Sequence, residues 1–239
     1  MAGHSEYANK KHRKEKSDSQ RSKIFTKVGR EIAVAVKLGG PDVATNQRLA
    51  TAILKAKAAN MPNDNIARAI KSAAGMGDKN NYEQVVYECY GPGGTAFIVE
   101  ALTDNKNRTA GDVRHIFDKS GGSMGTPGCV GFMFDRKGVI VVEKGNKTED
   151  DFMLEALDLN VDDYKVEDEV FVAFVSPSDI KQASDGLQKL GYNILSAQAE
   201  MVPQNTVSIE GNKLDSFEKL LEKLDDNEDI QEYYHNANE

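Results

Sequence analysis

The sequence predicts an α+β protein in which an N-terminal three-helix domain precedes two α/β domains, at least one of them ferredoxin-like, with the third inserted in the second. Apolar residues recur with a period of 3.6 up to Gly75 and with a period of 2 after Tyr82. The balance of basic and acidic residues changes at the same point. Residues 1–75 carry fifteen Lys and Arg against six Asp and Glu, whereas the rest of the chain carries fifteen against thirty-two. This asymmetry is typical of a basic module for polyanions joined to an acidic body.

The first domain, residues 1–79, is predicted to hold three helices after an opening segment with almost no apolar content. The first helix begins at Asp18 and ends at Gly39-Gly40-Pro41. The second stops near Pro62, which suits the first turn of a third helix that closes at Gly75. The three apolar faces consist of Ile24, Phe25, Val28, Ile32, Ala35 and Val36; of Leu49, Ala52, Ile53 and Ala56; and of Ile66, Ala69, Ile70 and Ala73.

The second domain is assigned to residues 80–136 plus 204–239, and the third to the inserted residues 137–203. In the second we expect strands Glu83–Tyr90, Thr95–Leu102, Val130–Phe134 and Ile230–Tyr234 with helices Thr109–Lys119 and Lys213–Leu224. In the third we expect strand 138–143, helix 149–158, strands 162–166 and 169–175, helix 177–190 and strand 192–200. This β-α-β-β-α-β order is that of a ferredoxin-like unit.

Several classes of function are disfavoured by what the chain lacks. Its four histidines are scattered, and Cys89 and Cys129 lie in apolar, strand-like surroundings without metal-ligand spacing, so we expect reduced core thiols. The segment Gly91–Thr95 lacks the Gly-Lys-Ser/Thr ending of a phosphate loop and is predicted to be a turn. The cluster Glu149-Asp150-Asp151 is expected at a helix start, where carboxylates favour the dipole, rather than at a cation site. We therefore expect no enzymatic activity, no cofactor and no metal.

A cytoplasmic location is expected. No apolar run approaches the roughly 18–20 residues that cross a bilayer, which predicts no membrane association, and the polar N-terminus lacks the apolar centre of a secretory signal. A monomer is compatible with the sequence.

The strongest functional signal is the cationic N-terminal module. A mobile basic arm followed by a cationic helix suits a shaped polyanion, because each Lys or Arg set against a phosphate releases a counterion. The turn Thr103–Thr109 leads into a helix with two arginines, which favours either phosphate contact or an ordinary capped turn. The candidate nucleic-acid-binding residues are Lys10, Lys11, His12, Arg13, Lys14, Arg21, Lys23, Lys27, Arg30, Lys55, Lys57, Arg108 and Arg114.

Ordered blocks along the whole chain carry a family resemblance. They include Met1–Ser5, Ala8-Asn9, His12–Lys14, Lys23–Lys27, Ala56–Pro62, Tyr87-Glu88, Gly91-Pro92, Gly94, Thr103–Asn105, Asn107–Thr109, Val113-Arg114, Gly121-Gly122, Gly125, Gly128, Val130 and Phe134–Gly138. On these residues the chain resembles the YebC family, also called the PmpR or mitochondrial translational-activator family. The resemblance implies a helical domain and two α/β domains, the third inserted in the second. This chain departs from the family pattern at Glu6 and Tyr7, where the family usually has lysine and tryptophan.

The resemblance implies two descriptions of function. Some members are described as DNA-binding transcriptional regulators, and others as translation factors that bind the ribosome near the peptidyl-transferase centre and relieve stalling at proline-rich sequences. We expect a translation factor that binds ribosomal RNA, and the alternative is a transcriptional regulator that binds promoter DNA. A third possibility is a protein-interaction module acting through the acidic ferredoxin-like domain. Composition alone does not choose between RNA and DNA.

Overall fold

The computed structural model describes residues 18–75 and 81–238. The helices are α1 (Asp18–Gly39), α2 (Gln47–Ala58), α3 (Asn63–Ala74), α4 (Lys106–Asp118), α5 (Glu149–Leu157), α6 (Ile180–Lys189) and α7 (Asn212–Asp226). The strands are β1 (Glu83–Tyr90), β2 (Ala96–Thr103), β3 (Ser123–Met124), β4 (Phe134–Glu143), β5 (Val161–Val166), β6 (Val170–Val175), β7 (Ile194–Pro203), β8 (Val207–Ser208), β9 (Ile230–His235) and β10 (Ala237–Asn238).

The predicted fold class is confirmed. The described residues form two compact units, one made of Phe132–Thr206 and the other of the residues before Phe132 together with Val207–Asn238. Chain order therefore places the first unit as an insertion in the second. The predicted domain boundaries at residues 79, 136 and 203 stay predictions. Among the described residues, none of the helices has the length and apolar character needed to cross a membrane.

Helices α1, α2 and α3 pack as predicted around a core that includes the fully buried Ile32 and Leu49. One buried amide fixes the turn between α1 and α2. The side chain of Asn46 accepts a hydrogen bond from the Leu49 backbone N–H at 3.0 Å and donates to the Ala35 carbonyl at 2.7 Å. A Cβ at Gly39 would lie 2.7 Å from Asn46 Cγ, so this turn requires a glycine.

The sheet of the second domain is antiparallel in the order β3-β1-β2-β9. The predicted completion of this sheet by a strand that follows the inserted domain is confirmed, because β9 pairs with β2. Its core contains residues of α4 and α7 around Phe97, whose ring centroid lies 5.3 Å from that of Phe117 and 5.7 Å from that of Phe217. The short β10 pairs with β8 in a separate parallel ribbon that the pattern did not predict.

The predicted strand Val130–Phe134 is wrong. Its alternating apolar residues resemble a strand, but Gly131–Met133 form a 3₁₀ turn and β4 begins at Phe134. The Glu88 carboxylate accepts hydrogen bonds from the backbone N–H groups of Gly128, Val130 and Gly131 at 2.6, 2.7 and 2.6 Å. Because these donors are satisfied by a side chain, they are not available to a neighbouring strand.

The inserted domain has the strand order β5-β6-β4-β7, with every neighbouring pair antiparallel, which is the ferredoxin-like arrangement. Helices α5 and α6 pack on one face of this sheet, where Phe152, Phe171 and Leu187 are buried. The prediction that Glu149-Asp150-Asp151 opens a helix is confirmed, since Thr148 and Asp151 form a capping box at the start of α5.

Candidate nucleic-acid interface

Three of the predicted nucleic-acid-binding cations lie on α1 and contact residues 225–229, which we call the acidic segment. Lys23 Nζ lies 2.7 Å from Asp226 Oδ1, and Lys27 Nζ donates to the Asp225 carbonyl at 2.9 Å. Arg30 forms an ion pair with Asp229 and donates to the Glu228 carbonyl at 2.9 Å. The cationic side of α1 therefore faces carboxylates of the same chain.

Asp229 is the centre of these contacts and is 5% exposed. Its carboxylate also accepts a hydrogen bond from Thr109 Oγ1 at 2.6 Å and from the Arg108 guanidinium at 2.9 Å. Burial alone would raise the pKa of Asp229, but hydrogen bonds from Thr109, Arg108 and Arg30 outweigh it and hold that pKa below its usual range. One buried carboxylate thus joins α1 of the helical domain to α4 of the sheet domain.

Lys27 is partly buried against the acidic segment. Burial lowers the pKa of Lys27, and the negative charges of Asp225, Glu232 and Asp226 oppose that change. The Lys27 ammonium is therefore a poor first contact for a phosphate, because it would have to give up its hydrogen bond to the Asp225 carbonyl and the nearby carboxylates.

The turn before α4 is a capped turn, which is one of the two arrangements that the sequence favoured. The Asn105 side chain accepts a hydrogen bond from the Arg108 backbone N–H at 3.1 Å, and Thr103 Oγ1 accepts one from the Asn105 N–H at 2.9 Å. The Arg108 guanidinium lies 2.8 Å from Asp104 as well as contacting Asp229. Arg114 is exposed further along α4 and forms no ion pair with another described residue.

The remaining predicted cations differ in exposure. Lys55 is half-buried and lies 3.3 Å from Glu31, whereas Lys57 is exposed. The side chain of Arg21 and the whole of the basic arm, Lys10, Lys11, His12, Arg13 and Lys14, lie outside the described residues. The departures Glu6 and Tyr7 also lie outside them.

Sequence reasoning left three exposed cations of α2 and α3 out of the candidate set. Arg48 lies on α2, and Arg68 and Lys71 lie on α3. None of them forms an ion pair with another described residue, in contrast with Lys23 and Arg30. Their spacing on the polar sides of amphipathic helices was the available signal, because Lys and Arg opposite an apolar face are expected at the surface.

The other reactive groups are structural in their surroundings. Both cysteines are free; Cys89 is buried as predicted, whereas Cys129 is only half-buried. Burial raises the pKa of the Cys89 thiol to about 12, so this thiol is not a nucleophile near neutral pH. Within residues 18–75 and 81–238 there is no group of three or more His, Cys, Asp or Glu that could hold a metal ion.

Two family models together match most of the chain. The model described as the TACO1/YebC protein N-terminal domain matches residues 5–76, and that of the TACO1/YebC second and third domain matches residues 82–237. A probable transcriptional regulatory protein of Acetivibrio thermocellus is 57% identical over 99% of this chain and 98% of its own length. A probable transcriptional regulatory protein of Caldicellulosiruptor saccharolyticus is 50% identical over 100% of this chain and 99% of its own length.

A solved structure has the same fold. The crystal structure of a conserved hypothetical protein from Aquifex aeolicus superimposes with a TM-score of 0.81 at 42% sequence identity, covering 93% of this chain and 92% of that one. The likeness therefore includes the helical domain as well as the two α/β domains.

Proposed function

The chain belongs to the TACO1/YebC family, and we propose that it is a non-enzymatic, nucleic-acid-binding regulator of gene expression that acts on the ribosome. In this proposal it binds ribosomal RNA near the peptidyl-transferase centre and relieves stalling at proline-rich sequences. Such a factor acts by positioning. Ordering a reactive centre lowers the entropic part of the barrier and requires no acid or base from the protein.

The observation that carries the proposal is the set of exposed cations on α2 and α3 that form no ion pair with another described residue. Lys57, Arg68 and Lys71 are exposed on helices whose other sides are buried. Cations presented this way can contact phosphates whatever the base sequence, because Lys and Arg are attracted to the charged backbone. Backbone contact of this kind suits a folded RNA recognised by shape.

The names of the relatives favour a second candidate. Proteins 50–57% identical to this chain are named probable transcriptional regulatory proteins, which supports promoter DNA as the polyanion. The same cations would serve either target. Proteins that read DNA through a helical bundle usually set several side chains of one helix against base edges. The shortage of Asn and Gln at helical spacing on α2 and α3 is the reason for ranking RNA first.

Ribosome co-sedimentation and gel shifts with promoter and random duplexes, at matched salt, test the ranking. We expect the full chain to sediment with ribosomes and Lys57→Glu combined with Arg68→Glu to weaken that association, because two phosphate contacts become repulsive. The matched control is Lys181→Glu combined with Lys219→Glu, which reverses two exposed lysines of the acidic domains. A footprint on one promoter that persists at high salt would reverse the ranking.

The translation step has a separate test in cells. In a deletion strain, ribosome profiling is expected to show increased occupancy at runs of proline codons, and the wild-type gene is expected to restore the normal pattern. Unchanged occupancy would refute the translation role while leaving nucleic-acid binding intact.

A further inference from the structure

Helix α7 carries its negative charges on one side. Four of its acidic residues are exposed and fall within about 80° of one another on a helical wheel. We call these residues, Asp215, Glu218, Glu222 and Asp226, the acidic stripe. The apolar side of α7 packs in the core of the second domain. At a rise of about 1.5 Å per residue, the acidic stripe is a negative surface about 16 Å long.

The lysines of α7 leave much of this charge in place. Lys223 donates a hydrogen bond to Ser120 Oγ at 3.2 Å. Asp215 and Glu218 form no ion pair with another described residue. Residues 212–229 contain seven Asp and Glu against three Lys, so this part of the chain has a net negative charge. It attracts a cationic segment and repels nucleic acid.

One end of the acidic stripe already contacts the N-terminal module. Lys23 Nζ lies 2.7 Å from Asp226 Oδ1, at the last residue of the stripe. Helix α1 begins at Asp18, five residues before Lys23, which is about 7.5 Å along the helix axis. The point where the basic arm joins α1 therefore lies close to the acidic stripe.

The chain before α1 has the length and the charge to lie along the whole stripe. From Lys10 to Asp18 the chain spans eight residues, at most about 29 Å when fully extended. The far end of the stripe lies about 16 Å beyond the Lys23 contact, so it is within this reach. Residues 10–17 carry five Lys and Arg against one Glu. Their positive charge complements the negative charge of α7.

The covalent connection makes such a contact favourable. An exposed ion pair contributes only about 0–1 kcal/mol by itself. However, a segment joined to its binding surface by a short length of chain has an effective concentration on the order of millimolar. Several weak pairs can then form together without the cost of bringing in a separate molecule.

We propose that the basic arm binds the acidic stripe of its own chain when no nucleic acid is bound, and that RNA has to displace the stripe to reach the arm. The contact is autoinhibitory, because the carboxylates compete with phosphates for the same cations. The exposed cations of α2 and α3 make the first contact with RNA, and the arm follows. The inhibition rests on the proposed RNA contact, whereas the docking of the arm does not.

Carbodiimide crosslinking of the full chain, without nucleic acid, tests the docking. The reagent forms an amide between a lysine Nζ and a carboxylate in contact with it. We expect mass spectrometry to find links from lysines of the basic arm to the acidic stripe. Links from the arm mainly to exposed carboxylates of the inserted domain, such as Asp162 and Asp168, would overturn the proposal. So would links confined to a covalent dimer, since the occupant would then be the arm of a second copy.

Fluorescence anisotropy with a labelled RNA hairpin of about 16 base pairs measures the competition. A stripe variant combines Asp215→Asn, Glu218→Gln and Glu222→Gln. We expect it to bind the hairpin about five-fold more tightly than the wild type does, because the arm no longer has to leave a carboxylate surface. Equal affinities of the stripe variant and the wild type would overturn the inhibition.

A matched control separates competition from a general change in charge. It combines Asp162→Asn, Asp168→Asn and Glu169→Gln, which remove the same charge from exposed positions of the inserted domain. We expect the control to change hairpin affinity by less than about two-fold, because charges beyond about 8 Å are largely screened at physiological salt. An increase equal to that of the stripe variant would contradict a specific contact.

The two measurements also distinguish the inference from the proposed function. An excess of the hairpin is expected to reduce the crosslinks between arm and stripe at least about five-fold, since phosphates replace the carboxylates. Unchanged crosslinks on a chain with hairpin bound would overturn the inhibition. Failure of the wild type to bind the hairpin would refute the proposed RNA contact, while the crosslinks formed without RNA still decide whether the arm docks.

Discussion

Replacing the buried carboxylate at position 229 tests whether the acidic segment holds α1 to the sheet domain. In Asp229→Asn the side chain keeps its shape but loses its charge, so Arg30, whose side chain is 15% exposed, loses its buried counterion. Arg30 keeps the Leu102 and Glu228 carbonyls at 3.3 and 2.9 Å, and Arg108 keeps Asp104 at 2.8 Å. Removing one partner of a buried pair costs about 3–5 kcal/mol, and these remaining contacts favour the lower end.

A loss of about 3 kcal/mol in the free energy of unfolding lowers the melting temperature by about 6–12 °C for a unit of this size. Thermal unfolding of the full chain at neutral pH, followed by far-UV circular dichroism, measures it. The matched control is Asp226→Asn, which removes the Lys23 ion pair. The side chains of that pair are 32% and 58% exposed, so we expect about 0–1 kcal/mol. If the two variants melt within about 2 °C of each other, the carboxylate of Asp229 does not stabilise the fold as argued.

The pH dependence gives the same argument a second measurement. The pKa of Asp229 is lowered in the folded protein, so the charged form contributes stability above its unfolded pKa and loses that contribution as the pH falls through the folded value. The difference in unfolding free energy between wild type and Asp229→Asn should therefore be constant near neutrality and shrink below about pH 4. A difference that grows on acidification would contradict the assigned sign.

Three further perturbations have defined outcomes. Glu88→Gln is expected to lower the free energy of unfolding in urea by about 2–3 kcal/mol, because a charged acceptor of three backbone hydrogen bonds becomes neutral. It should also speed hydrogen exchange at Gly128, Val130 and Gly131. The control is Glu83→Gln, which removes an exposed ion pair. Gly122→Ala places a Cβ 2.2 Å from the Tyr90 carbonyl oxygen and should destabilise by about 1–3 kcal/mol, whereas Gly111→Ala in α4, with open space around it, should stabilise by about 0.5–1 kcal/mol. Iodoacetamide should label Cys129 well before Cys89, whose thiol is buried with a pKa of about 12; equal labelling rates in the folded protein would contradict that burial.

Local pattern predicted most of the fold. Periodicity placed α1, α2 and α3 with their buried faces, and the alternation after Lys137 gave the order of the ferredoxin-like unit. Helix α4 begins three residues before the predicted Thr109, since Asn105 is the residue that caps it. Each of these features depends on residues close together in the chain, which is the range over which periodicity and capping act.

Long-range partners explain what the pattern could not predict. The apolar alternation of Val130 and Phe134 indicated a strand, but the backbone donors there bind a carboxylate 40–43 residues away. Likewise, Lys23, Lys27 and Arg30 of α1 were predicted to bind nucleic acid, and the sequence pattern gave no sign that they also contact residues 198–203 positions further along the chain. A helical wheel shows which side of a helix is polar, but it does not show whether water or a distant carboxylate contacts that side.

The pairing of α1 with the acidic segment changes what the cation count means for binding. Affinity for a polyanion depends on counterions released from phosphates, so a cation contributes only if it is free to replace them. Arg30 would first have to leave Asp229, and separating a buried pair costs more than one phosphate contact returns, whereas Lys23 would leave only an exposed pair with Asp226. Nucleic-acid binding through the described residues is therefore expected to depend on exposed cations such as Lys57 and Arg68, while Arg30 holds the helical domain to the acidic segment. A charge total over residues 1–75 overestimates the number of phosphates that this domain can neutralise, because part of that charge is already neutralised within the fold.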